Sequence, residues 1–335
     1  MTAFRRRLFL AAAAAAAATA APALRAQPAP SGRLDRLVVA GWSKAITEIT
    51  PLLVDADKGF YRAQGLALEY VPGAGGGDAV RNLLAGQADV AFTDPASLFT
   101  ALDRGEKLKA IFDIYPQNVF NVVARKGSGI RTPADLKGKR IGVYSLASGT
   151  RTNLQVLLHQ AGLSEADVTV VPTGLLNFAP LLQGQVDATA ATDTGLAIGR
   201  RRGLGEVEVL EVGRWLPVSS DLYVVREQDW RERKDLLRRF LRAWRDAAQW
   251  MIDQPEEAAR LAGQRAIDGS DAALALEIVK LRNASSQSEL TRRQGLGAMD
   301  LASLQRAADV YRGIGLVKNR LDMAQVVAAD LLPGR

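Results

Sequence analysis

Short apolar runs alternate with amphipathic segments over the first two thirds of the chain. "LVVAGW" (37–42), "GLALEYVPG" (65–73), "ADVAFTD" (88–94) and "LKAIFDI" (108–114) have the length and branching of buried strands. Between them, "GGGDAVRNLLAGQ" (75–87) and "PASLFTALDRG" (95–105) space their apolar residues as helices do, with Asp78 placed to cap the first. The pattern then restarts: "RIGVYS", "DVTVVPT", "VDATAATD" and "EVEVLEV" are strands, while "ASGTRTNLQVLLHQAG", "LNFAPLLQG" and "GLAIGRRRG" are helical. This alternation predicts βαβ units and a mostly parallel sheet in each of two α/β lobes, near 33–121 and 126–218. From Trp230 onward the period is helical only, so a helical tail follows.

The two lobes share a corner. "LLAGQADVAFTDPA" (83–96) returns as "LLQGQVDATAATDT" (181–194), with Leu, Leu, Gly, Gln and Asp in register and a second acid beyond, Asp94 and Asp193. Gly86 and Gly184 stop a helix where glycine sits easily in the left-handed conformation. Asp193 is expected to mirror Asp94.

Composition removes several function classes. Residues 1–26 read as an export signal: Arg5-Arg6-Arg7, an alanine-rich apolar middle, and a small-residue end with cleavage after Ala26. "RRLFL" resembles a twin-arginine motif, although Ala11 stands where lysine is usual. The expected location is therefore the periplasm. The 335 residues carry a net charge of +7, but the leader holds four arginines and no acid, leaving 39 basic against 36 acidic residues. Nucleic-acid binding is not indicated, and the arginines of 231–245 are interleaved with Glu232, Asp235 and Asp246 as on a solvated helix face. With no cysteine and one histidine, His159, thiol catalysis and the common metal sites are excluded; no metal or cofactor is expected.

The order of motifs resembles the periplasmic solute-binding proteins of ABC importers, in the aliphatic sulfonate, nitrate and taurine group together with the NMT1-like thiamine-pyrimidine-precursor binders. "GW" (41–42), "DKGFYRAQGLALE" (57–69), "GGGD" (75–78), "LLAGQADVAFTDPAS" (83–97), "IRTPADLKGKRIGV" (130–143), "SGT" (148–150) and "LLQGQVDA" (181–188) carry the resemblance. "RRFLRAW" (238–244), "PEEAA" (255–259) and "GLGAMD" (295–300) extend it through the tail. It implies a type II periplasmic binding protein fold, two doubly wound sheets with a cleft between them. The first lobe would comprise 33–121 plus 222–335, with the tail packed mainly on it, and the second 122–221. Crossovers would run at Asn118 to Arg125 and Ser219 to Arg226. It also implies a monomer that captures a sulfonate- or taurine-like solute for a membrane permease with a cytoplasmic ATPase. The alternatives are a pyrimidine or other N-heterocycle as ligand or, against the missing cysteine, a pyrimidine-synthase-type enzyme.

In such sheets ligands bind beyond the carboxyl ends of the strands. The candidates there are Trp42, as a ring to stack on a solute or an inter-element core residue, and the loop Gly76, Gly77 and Asp78, whose N–H groups can face an anion. Thr93 and Asp94 end the third strand. Ser145, Ser148, Gly149 and Thr150 stand in the corresponding place of the second lobe, and Asn118, Asn177, Asp193 and Asp221 complete the set. The acids pose a choice. Facing the cleft, Asp94, Asp193 and Asp221 favour a ligand with an amine or N–H donors; capping helices or paired with arginines, they leave room for a simple sulfonate.

Overall fold

The computed structural model describes residues 33–176 and 178–333, so the expected leader and Asn177 lie outside the described residues. Ten strands form two five-stranded sheets. The first contains β1 (Asp35–Ala40), β2 (Leu66–Val71), β3 (Val90–Thr93), β4 (Leu108–Tyr115) and β10 (Asp221–Arg226), in the order β2-β1-β3-β10-β4. The second contains β5 (Phe120–Arg125), β6 (Arg140–Val143), β7 (Thr169–Pro172), β8 (Ala188–Thr192) and β9 (Val207–Glu211), in the order β7-β6-β8-β5-β9. Each is the two-layered α/β unit expected, with one difference: neither is wholly parallel. β10 runs antiparallel between β3 and β4, and β5 runs antiparallel between β8 and β9. In both sheets the reversed strand is the one that the chain forms on arriving from the other lobe.

That strand also relocates the crossovers. Most of Asn118–Arg125 and Ser219–Arg226 is β5 and β10, because those runs are apolar enough to be buried on both faces. The passages between sheets are 116–119 and 212–220. They lie side by side, Ser220 N–H donating to Tyr115 O (2.8 Å) and Val119 N–H to Ser220 Oγ (3.1 Å).

Alternation along the strands divides the core. In β1, Leu37 and Val39 pack into one apolar cluster, and Val38 and Ala40 into another across the sheet. Eight longer helices cover these faces: α1 (Gly76–Leu84), α2 (Pro95–Asp103), α3 (Gly149–Gln160), α4 (Asp193–Arg201), α5 (Lys234–Asp253), α6 (Pro255–Arg265), α7 (Ala272–Ser285) and α8 (Leu301–Gly313). The tail serves mainly the first sheet. α5 lays Leu237, Phe240, Leu241 and Trp244 on the Leu37 side, and α8 lays Leu304, Ala307 and Tyr311 on the Val38 side. α7 departs from this pattern: its Leu274 and Ile278 pack with Ala197 of α4, so the tail also touches the second lobe. The α5 arginines meet acids, as Arg239 does with Asp35 and Asp235. No helix among the described residues is long and apolar enough to cross a membrane.

Candidate functional site

The carboxyl ends of the two sheets face each other across a cavity of about 570 Å³, within the range of small-molecule pockets. From the first lobe, Trp42 follows β1. Its ring stands edge-on to Phe92 behind it (6.4 Å) and to Tyr144 of the second lobe (6.2 Å), so one indole spans both walls. Phe120 and Phe178 add further aromatic lining.

The acids divide among three roles. Asp94 caps α2, accepting from Ser97 N–H (2.9 Å) and Ser97 Oγ–H (2.8 Å). Burial pushes its carboxyl above the usual range while those two bonds oppose the shift. Glu48 accepts from Thr194 Oγ1–H of α4 (2.6 Å) and lies 3.7 Å from Arg282. Its carboxyl is also pushed up by burial, against the pull of Arg282 and Thr194. Asp221, at the start of β10, is only 8% exposed and has no side-chain hydrogen bond or ion pair among the described residues. Burial, then the neighbouring Asp94, Glu48 and Asp113 carboxylates, raises it well above the ordinary value.

Arg282 of α7 is 1% exposed and lines the cavity between the lobes. It pairs with Asp193 of α4 on one side and Glu48 on the other, and lies over the Tyr115 ring at 5.0 Å. Two carboxylates therefore share this one guanidinium.

Seven of the sequence candidates line the cavity: Trp42, Gly76, Asp94, Ser148, Gly149, Thr150 and Asp221. The hydroxyls at the start of α3 hold their own loop, Thr150 Oγ1 accepting from Tyr144 N–H (3.0 Å) and Ser148 Oγ–H donating to Ser145 O (2.7 Å). The others stand behind or beside the cavity. Thr93 Oγ1–H donates to Gly76 O (2.9 Å), fixing the glycine loop. Asp78 accepts from Ala74 N–H (2.9 Å) and pairs with Arg81. Asn118 joins the crossover to Asn153 and Leu216. Ser145 donates to Ala74 O across the lobes, and Asp193 is held by Arg282.

The glycine loop differs from the anion cradle expected. Gly75 N–H is bonded to Trp42 O (2.7 Å), Gly77 N–H to Ala147 O of the second lobe (3.0 Å) and Asp78 N–H to Gly75 O (3.0 Å). A Cβ on Gly75, at φ 128°, would overlap the Ala147 carbonyl, and one on Gly76 would overlap the Asp94 carboxylate. The loop is thin because the lobes meet there, and an acid stands where an anion would sit.

The register of the repeat also changes one pairing. Counted from the shared Leu-Leu, the position of Asp94 is taken by Thr192, not Asp193. Thr192 is the cap of α4, accepting from Gly195 N–H (3.2 Å). Sequence reasoning missed Glu48, Tyr144, Thr192 and Arg282. Arg282 left one signal: it follows Leu274, Ile278 and Val279 on the buried face of its helix.

Comparison with known proteins agrees with this geometry. The family described as NMT1/THI5 like matches residues 46–258. The riboflavin-binding protein RibY of Chloroflexus aurantiacus is 27% identical over 94% of this chain and 90% of its own length. The 4-amino-5-hydroxymethyl-2-methylpyrimidine phosphate synthase of Schizosaccharomyces pombe is 22% identical over 61% of this chain and 62% of its own. Among solved structures, the alkanesulfonate-binding protein SsuA from Xanthomonas axonopodis pv. citri, bound to MOPS, superposes with a TM-score of 0.70 at 19% identity. That match covers 89% of this chain and 100% of that one.

Proposed function

Because the chain belongs to the NMT1/THI5-like family, we propose that it is the periplasmic solute-binding component of an ABC-type importer, and that its ligand is a planar heterocycle bearing N–H donors or a cationic nitrogen. The observation that carries the ligand class is Asp221, a buried carboxyl without a partner in a cavity walled by aromatic rings. An isolated buried carboxylate is unfavourable, and a ligand donor relieves it. A simple sulfonate, the first expectation, fits less well: the loop N–H groups are largely occupied, and Arg282 is already shared by two carboxylates. The relative that binds riboflavin is consistent with a ring of this kind. We read the protein as a binder and not an enzyme, since the chain has no thiol and His159 is exposed at the end of α3, outside the cavity lining.

A thermal-shift panel tests this reading. A heterocycle with N–H donors at a hundred times its dissociation constant should stabilise the fold by about 2.7 kcal/mol. Stabilisation by taurine or alkanesulfonates alone, with riboflavin and aminopyrimidines inert, would refute the assignment. Loss of uptake on deleting the permease separates transport from a sensing role.

A further inference from the structure

Eight charged side chains line the cavity, and six have partners. Glu48, Asp94 and Arg282 are engaged as described; Arg201 pairs with Asp271 (2.6 Å), which also caps α7, and Asp268 accepts from Thr47 N–H (2.7 Å) and Oγ1–H (2.8 Å). The two without a partner among the described residues are Asp221 and Arg202, and their charges are opposite.

They also lie at opposite ends of the cavity. Asp221 is grouped with Glu48, and Glu48 is bonded to Thr194 in the first turn of α4. Arg202 directly follows the last residue of α4, eight residues on, or about 12 Å along the axis at the usual rise per residue. Between these ends the lining is apolar: Ile198 of α4, Leu274 of α7, and Leu175 and Ile267 from loops on either side.

We propose that the cleft takes an elongated ligand in one orientation, with a ring N–H or protonated nitrogen against Asp221 and an anionic group, such as a phosphate monoester, against Arg202. The inference rests on the reading of the cleft as a heterocycle site and adds a second contact point to it. The cavity volume suits a two-part ligand of this length better than a single small ring. Taurine, with two carbons between its amine and its sulfonate, is too short to reach both ends. A helix end rich in arginine also complements the negative pole of the helix, so the test must separate that role from ligand contact.

Matched pairs provide the separation: thiamine against thiamine monophosphate, and riboflavin against riboflavin 5′-phosphate, titrated calorimetrically into the full mature protein. The phosphorylated member of at least one pair should bind about tenfold tighter, as a charge-assisted contact allows. Arg202→Ala should abolish that advantage and leave the unphosphorylated member unchanged, while Asp221→Asn weakens both. Equal affinity within every pair that binds, or an advantage that survives Arg202→Ala, overturns the inference while leaving the heterocycle reading intact. So does a lower melting temperature for Arg202→Ala with unchanged affinities, which marks the arginine as a helix-end residue only. If no member of either pair binds, both readings fall.

Discussion

The repeated corner shows which features the two lobes share and which they do not. In the first lobe Asp89 accepts from Val38 N–H (2.8 Å) and returns its own N–H to Val38 O (2.9 Å); in the second, Asp187 makes the same two bonds with Arg140 (2.8 Å each). Gly86 (φ 73°) and Gly184 (φ 69°) turn the chain just before them. Five residues after each of these acids, at the mouth of the cleft, the two copies differ: Asp94 caps one helix and Thr192 the other. Geometry is repeated where it builds the strand entrance, and charge differs where a ligand would be met. The first lobe supplies the buried acids Glu48, Asp94, Asp113 and Asp221, whereas the resolved shifts of Asp135, Asp167 and Asp187 in the second are downward, caused by hydrogen bonds at the surface.

The largest expected effect is a pH dependence of opposite sign in the two lobes. Burial pushes Asp113 up to about 8, against the hydrogen bond that it accepts from Ser219 Oγ–H (2.5 Å). The folded state therefore holds a proton that the unfolded chain releases near the ordinary carboxyl value of 3.8. Stability from this group is complete below that value and declines as pH rises through about 8. Denaturant midpoints should fall from about pH 5 to about pH 9, and Asp113→Asn should flatten the fall. Asp187 titrates the other way: its folded form loses its proton more readily, so its contribution is present above the unfolded value and lost on acidification. A slope unchanged in Asp113→Asn removes this group from the account.

Next in size is Arg282→Ala, which strips the counter-charge from Glu48 and Asp193 together and should destabilise by about 3–5 kcal/mol in urea unfolding. Below it, the shared bridge should prove unequal. Asp89→Ala, which also loses Arg233, should cost about 2–3 kcal/mol, and the more exposed Asp187→Ala about 1 kcal/mol. Equal losses would mean that burial does not distinguish the two corners. The smallest effects are those of the caps, with Asp94→Ala and Thr192→Ala each expected near 1 kcal/mol by the same measurement. The two should differ in ligand affinity, because only Asp94 brings a charge to the cavity.

Periodicity made the scaffold legible. Strands buried on both faces left unbroken apolar runs, and the duplicated Leu-Leu-Gly-Gln marked the corner before any coordinate was known. The reversed strands were hidden because "FNVVAR" and "DLYVVR" read alike in either direction. Of the site, positions tied to a turn or cap, such as Trp42, Asp94 and Ser148, were visible, since local chemistry requires them there. Glu48 and Arg282 were not, because each is polar in a stretch that otherwise reads as core, and only their approach to each other over more than two hundred residues explains them.

The insertion of β10 between β3 and β4 also bears on how the polypeptide acquires its shape. Leu222 must find Asp113 and Thr93, partners made far earlier during synthesis, whereas β5 to β9 pair only among themselves. The segment 120–211 can close its sheet as soon as it is complete. The strands around it stay unjoined at their centre until the chain has returned, so the nascent molecule keeps an open seam there for most of its assembly.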